Sequence, residues 1–163
     1  MSDRRRSLNP IERKLEDFAR SKAGGWYFLN VAMRVDRVLL PLTRGRISSA
    51  PGQQVLLLET VGAKSGERRR TPLVYVTDAS HIVLIASKAG AKRHPAWFHN
   101  LRANPRVKVL APGRSGEYNA REAEGEERAR LWREAVDYYA GYDTYQDRAG
   151  SRRIPVVVLE PAR

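Results

Sequence analysis

The stretch TPLVYVTDASHIVLIAS, residues 71–87, decides the fold. Two apolar runs of strand length, TPLVYV (71–76) and HIVLIAS (81–87), are separated by little more than Asp78-Ala79-Ser80, and so read as a β-hairpin. Pro72 marks either the start of the first strand or a sheet edge, because it has no N–H to give to a ladder. Upstream, QVLLLETV (54–61) is an apolar run of strand length, and GAKSGERRR (62–70) reads as a glycine-punctuated basic loop. Downstream, KAGAKRHP (88–95) is a second basic loop, and AWFHNLRAN (96–104) is a short helix halted before Pro105. RVKVLA (106–111) and EYNAREAE (117–124) form another hairpin around residues 112–116. A helix over 125–139 follows, with Leu131, Ala135 and Val136 on one face, and RIPVVVLEP (153–161) is the last strand.

Strands joined by hairpins, with helices inserted, indicate an α+β class; the lack of alternating β–α–β units argues against a doubly wound parallel sheet. Six or so such strands close most easily into a small barrel. The N-terminal segment, 1–49, reads as helical and the remainder, 50–163, as the barrel, within a single domain. Asn9 and Pro10 open a first helix that runs to about Lys22 and stops at Gly24-Gly25. A second helix is expected from Trp26 to about Leu40, ending near Pro41. It carries Asn30, Arg34 and Arg37 on one side and Trp26, Leu29, Ala32, Met33 and Leu40 mostly on the other. That pattern suits a helix packed on a sheet, and also a basic amphipathic helix lying on an anionic membrane.

The 163 residues carry a net charge of +12. The surplus is concentrated early: residues 1–50 hold eleven bases against five acids and residues 51–105 eight against three, whereas 106–163 are nearly balanced. Such a field attracts anions: nucleic acid, an acidic membrane or a polyanionic small molecule. With no cysteine, disulfide frameworks, thiolate nucleophiles and iron–sulfur clusters are excluded. No apolar run approaches the ~20 residues of a spanning helix, and MSDRRRSLNPIERK (1–14) lacks the apolar core of a secretory signal. These features lead us to expect an intracellular chain.

The sequence has no GxGxxG, GxxxxGK[ST] or GxSxG, and His81, His94 and His99 lack ligand-like spacing, so no metal site is expected. What remains is two basic loops of one composition. The first offers Lys64, Ser65, Gly66, Arg68, Arg69 and Arg70; the second Ser87, Lys88, Lys92, Arg93 and His94. Glycine lets backbone N–H groups approach an anion, serine adds a hydroxyl and the cations supply charge, which together suit phosphate binding. Trp97 and Phe98 follow the second loop, and Tyr138, Tyr139, Tyr142 and Tyr145 crowd together near the C-terminus. The phenols serve either as packing or as a lid over a flat ligand. Anion loops beside an aromatic cleft describe a site for a planar, phosphorylated cofactor.

The runs TVGAKSGERRRTPLVYV and IASKAGAKRHPAWFHNLRANPRVKV, with the tail YYAGYDTYQDRAGSRRIPVVVLEP, resemble the deazaflavin (F420)-dependent nitroreductase and F420H2-dependent quinone reductase family. The likeness covers roughly 50–161 and rests on G-x-K-[ST]-G, ASK-x-G and HPAW-x-x-NL in that order. It implies a split β-barrel of the FMN/F420-binding type that binds reduced coenzyme F420. It further implies hydride transfer to a quinone, menaquinone included, or to a nitroaromatic acceptor. Lys64, Ser65, Arg69 and Lys88, with Arg70, would meet the phosphate and tail. The backbone of Thr71, Pro72, Leu73 and Val74 and that of Ile85, Ala86 and Ser87 would line the ring, with Ala96, Trp97, Phe98 and Asn100 completing the pocket. Tyr139, Tyr142 and Tyr145 match the tyrosines of the acceptor side. Ser87 and Tyr142 are the nominated hydroxyls that hold or protonate the acceptor oxygen. Ala63 stands where members often have arginine, Val74 where some have tyrosine and Ala89 where glycine is frequent. A homodimer is expected from homologous barrels. The expected location is the cytoplasm, with the inner face of the plasma membrane as a peripheral seat. Two other readings stay open: an FMN-dependent reductase on the same barrel, and a basic nucleic-acid-binding module, although no recognition motif supports the latter.

Overall fold

The computed structural model describes residues 31–50 and 53–162. The expected first helix, and the opening turn of the second with Trp26, Leu29 and Asn30, lie outside these residues.

Six antiparallel strands close into a barrel in the order β1–β2–β3–β6–β5–β4, with β4 pairing back onto β1. They are β1 (Val55–Val61), β2 (Arg68–Asp78), β3 (His81–Ile85), β4 (Arg106–Leu110), β5 (Gly116–Glu122) and β6 (Val156–Pro161). Among the described residues four α-helices accompany them: α1 (Met33–Leu42), α2 (Ala96–Ala103), α3 (Gly125–Tyr138) and α4 (Gly141–Ala149).

The apolar strand runs are continuous because both faces of the barrel wall are covered. Side chains alternate across a strand. Leu56, Leu58, Ile82, Leu84, Val157 and Leu159 therefore point inward, onto Trp97, Phe98 and Leu101 of α2, which plug the interior. Val83, Ile85, Val156 and Val158 point outward beneath α3 and α4. Val55 and Leu57 point outward beneath Leu40 of α1. Each completely buried Leu or Ile contributes about 1.5–3 kcal/mol of burial, so this three-cluster core dominates the stability.

Two local expectations are corrected by long-range pairing. Arg68, Arg69 and Arg70 belong to β2, not to a loop: they pair with Val61, Thr60 and Glu59 of β1, and Glu59 accepts from both Arg68 and Arg70. Pro72 lies inside β2 opposite Leu57, in a stretch whose register includes β1 alone, since the β3 ladder begins at Tyr75. A proline is tolerated at such a locally one-sided position. The helix expected to end near Pro41 continues to Leu42, with Pro41 inside its last turn and the Thr43 N–H reaching the Leu39 carbonyl at 3.0 Å. Its buried Asp36 accepts the Ser49 N–H at 2.6 Å, which fixes the chain where it turns toward β1.

Candidate functional site

β1 and β3 are both antiparallel to β2 and so run the same way. The turn after β1 and the loop after β3 consequently leave the barrel at the same end. α2 ties them together, because the second loop leads into its N-terminus while its C-terminal half grips the first turn. The Asn100 side-chain carbonyl accepts the Ala63 N–H at 3.0 Å, its amide donates to the buried Thr60 hydroxyl at 3.1 Å, and the Asn104 amide reaches the Val61 carbonyl.

The first turn spans 62–67 and is closed on itself by Gly62 N–H to the Glu67 carbonyl at 2.8 Å and Gly66 N–H to the Gly62 carbonyl at 2.9 Å. Lys64 and Ser65 stand exposed on it. Alternation along β2 separates the arginines that follow. Arg69 shares a face with Thr60, the α2 side, whereas Arg70 lies on the opposite face with Arg68 and Glu59. Arg69 pairs with Glu67 at 2.6 Å, both largely in solvent. Exposed pairs of this kind are worth about 0–1 kcal/mol, so an incoming anion can displace the carboxylate. The same alternation divides residues 71–74, expected from the sequence to line a ring. Thr71 and Leu73 share the inner side, and Leu73 packs on the interior cluster, while Pro72 and Val74 share the outer side, where Val74 meets Leu40 and Leu57.

In the second loop, Lys88, Ala89 and Gly90 are successively left-handed, with φ of 48°, 52° and 78°. Ala89 thus occupies a backbone state that suits glycine. Gly90 is required for a second reason: a Cβ on it would come within 2.6 Å of the Arg148 Cβ and 2.7 Å of the Tyr145 carbonyl on α4. Ser87 is αR and Lys88 left-handed, the backbone alternation that favours anions, with the Ser87 N–H itself given to the Ile85 carbonyl at 2.8 Å. Ser87 is buried, and Lys88, Lys92 and Arg93 are exposed.

Ala96 is exposed at the start of α2, and Trp97 and Phe98 are buried in the barrel interior with their rings edge to face at 6.3 Å. Ile85 faces outward into the tyrosine cluster and Ala86 inward. Tyr139 precedes α4, while Tyr142 and Tyr145 lie on it; all three are buried. Tyr139 meets Tyr142 edge to face at 5.3 Å, and the Tyr139 and Tyr145 hydroxyls stand 3.2 Å apart. Burial pushes the Tyr142 phenol well above its usual value, so it stays protonated and available as a donor across the physiological range. Tyr145 borders Gly90, which brings the aromatic cluster against the second basic loop.

Sequence reasoning missed Arg152, which stands in the tail before β6. Its guanidinium donates to the carbonyls of Ala86, Ser87 and Ala91 and to His94 Nδ1. The signal was a basic pair in the Gly-Ser turn between a buried helix and a buried strand, too common a pattern to stand out. His94, in turn, is held below the ordinary histidine range, first by burial and then by Arg152, His99 and Arg102.

The donor set therefore fits an anionic cofactor tail. The 62–67 turn and the 87–95 loop expose Lys64, Lys88, Lys92 and Arg93 at one end, Arg69 adds its charge from the start of β2, and Glu67 is the one acid within the two segments among the described residues.

The model of the F420H(2)-dependent quinone reductase family matches residues 32–161. An F420H(2)-dependent quinone reductase of Mycobacterium tuberculosis is 43% identical over 118 residues, 70% of this chain and 76% of that protein. A solved F420-H2 dependent reductase superposes with a TM-score of 0.58 at 40% identity, covering 66% of this chain and 94% of that one. A structure described as a domain-swapped dimer superposes with a TM-score of 0.63 at 36% identity, over 78% of this chain and 94% of its own. These similarities favour F420 over the FMN and nucleic-acid readings.

Proposed function

This chain belongs to the F420H(2)-dependent quinone reductase family, and from that premise we propose that its two basic turns and its tyrosine cluster are the donor and acceptor sides of one reductase site. The chain is an oxidoreductase that uses coenzyme F420, and its acceptor is a quinone. The observation that carries the reading is the convergence of the 62–67 turn and the 87–95 loop through α2. F420 carries a phosphodiester and an acidic tail, the chemistry that a loop-borne positive field recognises.

When bound, the reduced deazaflavin supplies the hydride. The chain's own work is to hold and orient. Lys64, Ser65, Arg69 and Lys88 would grip the anionic tail, and the backbone of 71–74 and 85–87 would support the flat ring. Ser87 and Tyr142 would hold the acceptor oxygen, each with a proton to donate. The buried aromatic surface of Tyr139, Tyr142 and Tyr145 excludes water from that side.

Two finer statements belong to the same reading. A homodimer is supported by the similarity to a domain-swapped dimer. A peripheral seat on an anionic membrane is supported by α1, whose solvent face presents Val35, Val38 and Leu42 beside Arg34 and Arg37, with Ile47, Arg44 and Arg46 beyond. No helix among the described residues is long and apolar enough to cross a membrane. Sedimentation with anionic vesicles, lost in Arg34→Glu/Arg37→Glu, tests that seat.

The decisive experiment is a binding isotherm for F420 in wild type, Arg69→Ala and Lys88→Ala. Loss of one charge-assisted contact weakens affinity about tenfold in each variant. Unchanged affinity in both would overturn the assignment of the site.

A further inference from the structure

We propose that Arg152 is the positioning residue of the cofactor loop: its guanidinium clamps both ends of the left-handed turn 88–90 and so fixes where Ser87 and Lys88 stand. The proposal rests on the reading of this loop as part of the F420 site, and extends it to a residue outside both basic turns.

The argument starts from the backbone. Three consecutive left-handed residues, two of them bearing a Cβ, do not hold themselves in place. Such a conformation persists only where its surroundings over-determine it. Here those surroundings come from two sides. On one, Gly90 lies against the backbone of α4 at Tyr145. On the other, Arg152 Nε donates to the Ala91 carbonyl at 2.8 Å, Nη1 to the Ala86 carbonyl at 3.2 Å and Nη2 to the Ser87 carbonyl at 2.7 Å. Ala86 and Ser87 precede the turn and Ala91 follows it, so one planar group bridges the gap that the turn opens. The rigid fork of N–H donors in a guanidinium matches this demand, and an ammonium does not.

The fourth contact extends the clamp to the start of α2. Nη1 lies 3.1 Å from His94 Nδ1, and since a guanidinium only donates, Nδ1 accepts and carries no proton. Arg152 is itself held: Gln146 of α4 donates to its carbonyl at 2.9 Å and accepts the Ile154 N–H at 2.9 Å. Among the described residues no carboxylate forms an ion pair with Arg152; its recorded contacts are neutral acceptors. The positive charge is left for the loop, beside Lys88, Lys92 and Arg93. The same residue thereby shapes the turn and adds to the field that draws an anion.

The test uses the full-length protein. In Arg152→Lys the charge is kept and the fork is lost. Without cofactor, amides 87–91 then exchange about tenfold faster while those of β1 and β6 are unchanged, and the dissociation constant for F420 rises about tenfold, the share of one or two charge-assisted hydrogen bonds. Arg153→Lys, next in the chain and exposed, leaves both readouts at wild type. His94→Ala removes one of four acceptors and raises exchange by a smaller factor, which keeps the proposal testable if Arg152→Lys fails to fold. Exchange and affinity at wild-type values in Arg152→Lys, or exchange at the wild-type value in His94→Ala, would overturn the clamp. A wild-type protein that ignores F420 while Arg152→Lys still loosens 87–91 would leave the clamp standing and remove the assignment of the cofactor.

Discussion

The side-chain carbonyl of Asn100 accepts the backbone N–H of Ala63 at 3.0 Å, joining a helix that follows β3 to a turn that follows β1. Through this contact two loops far apart in the chain share one end of the barrel. Asn100→Ala takes the partner from the buried Thr60 hydroxyl and leaves the exposed Ala63 N–H to water, and is expected to cost about 1–3 kcal/mol. Asn100→Asp keeps the acceptor and costs less. Chemical denaturation gives the stability change, and an F420 isotherm should show weaker binding in Asn100→Ala.

The second loop makes an opposite pair of predictions at neighbouring positions. Ala89 has φ of 52°, so Ala89→Gly removes a steric cost and raises stability by about 0.5–1 kcal/mol after the entropy of the added glycine is deducted. Gly90→Ala drives a methyl into the Tyr145 carbonyl and lowers stability by on the order of 2 kcal/mol. Thermal melts of both variants check the sign of each change.

Ser87→Ala and Tyr142→Phe remove the two hydroxyls assigned to the acceptor. Turnover with a soluble quinone should fall by about a hundredfold in at least one of them, the usual scale for a positioned proton donor. If both turn over as wild type does, the acceptor oxygen is held elsewhere. Because burial raises the Tyr142 pKa, ionisation of this phenol should leave no trace in a rate profile below pH 9.

His94 makes stability depend on pH. Burial and the neighbouring cations hold its folded pKa below the unfolded value of about 6.5, so the unfolded chain takes up a proton first as pH falls. Its contribution is complete above that unfolded pKa and declines below it until the folded group also protonates. The melting temperature should therefore drop between pH 7.5 and pH 5, and His94→Gln should flatten that part of the curve.

What could be read from the residues alone was set by whether the deciding partner was near in sequence. The runs at 54–61 and 81–87 were legible as strands because apolar residues fill both faces of the wall. The three arginines at 68–70 read as a loop, since local charge density suggests solvent, but Glu59 across the ladder draws two of them into β2. The basic loops and the tyrosines were visible as compositions. Their arrangement was not, because period-two alternation sends Arg69 and Arg70 to opposite faces only once the strand is known. Arg152 stayed hidden for the same reason: its acceptors lie 58–66 residues earlier in the chain.

The cationic turns and α2 come from one uninterrupted stretch, β1 through α2, whereas the phenols arise from the α3–α4 insertion between β5 and β6. The two are locked together at one seam, where Gly90 lies against α4 at Tyr145 and Arg152, just after α4, holds the carbonyls of Ala86, Ser87 and Ala91. A change of packing in the insertion is therefore transmitted to the 88–90 turn, and the two regions must vary in concert.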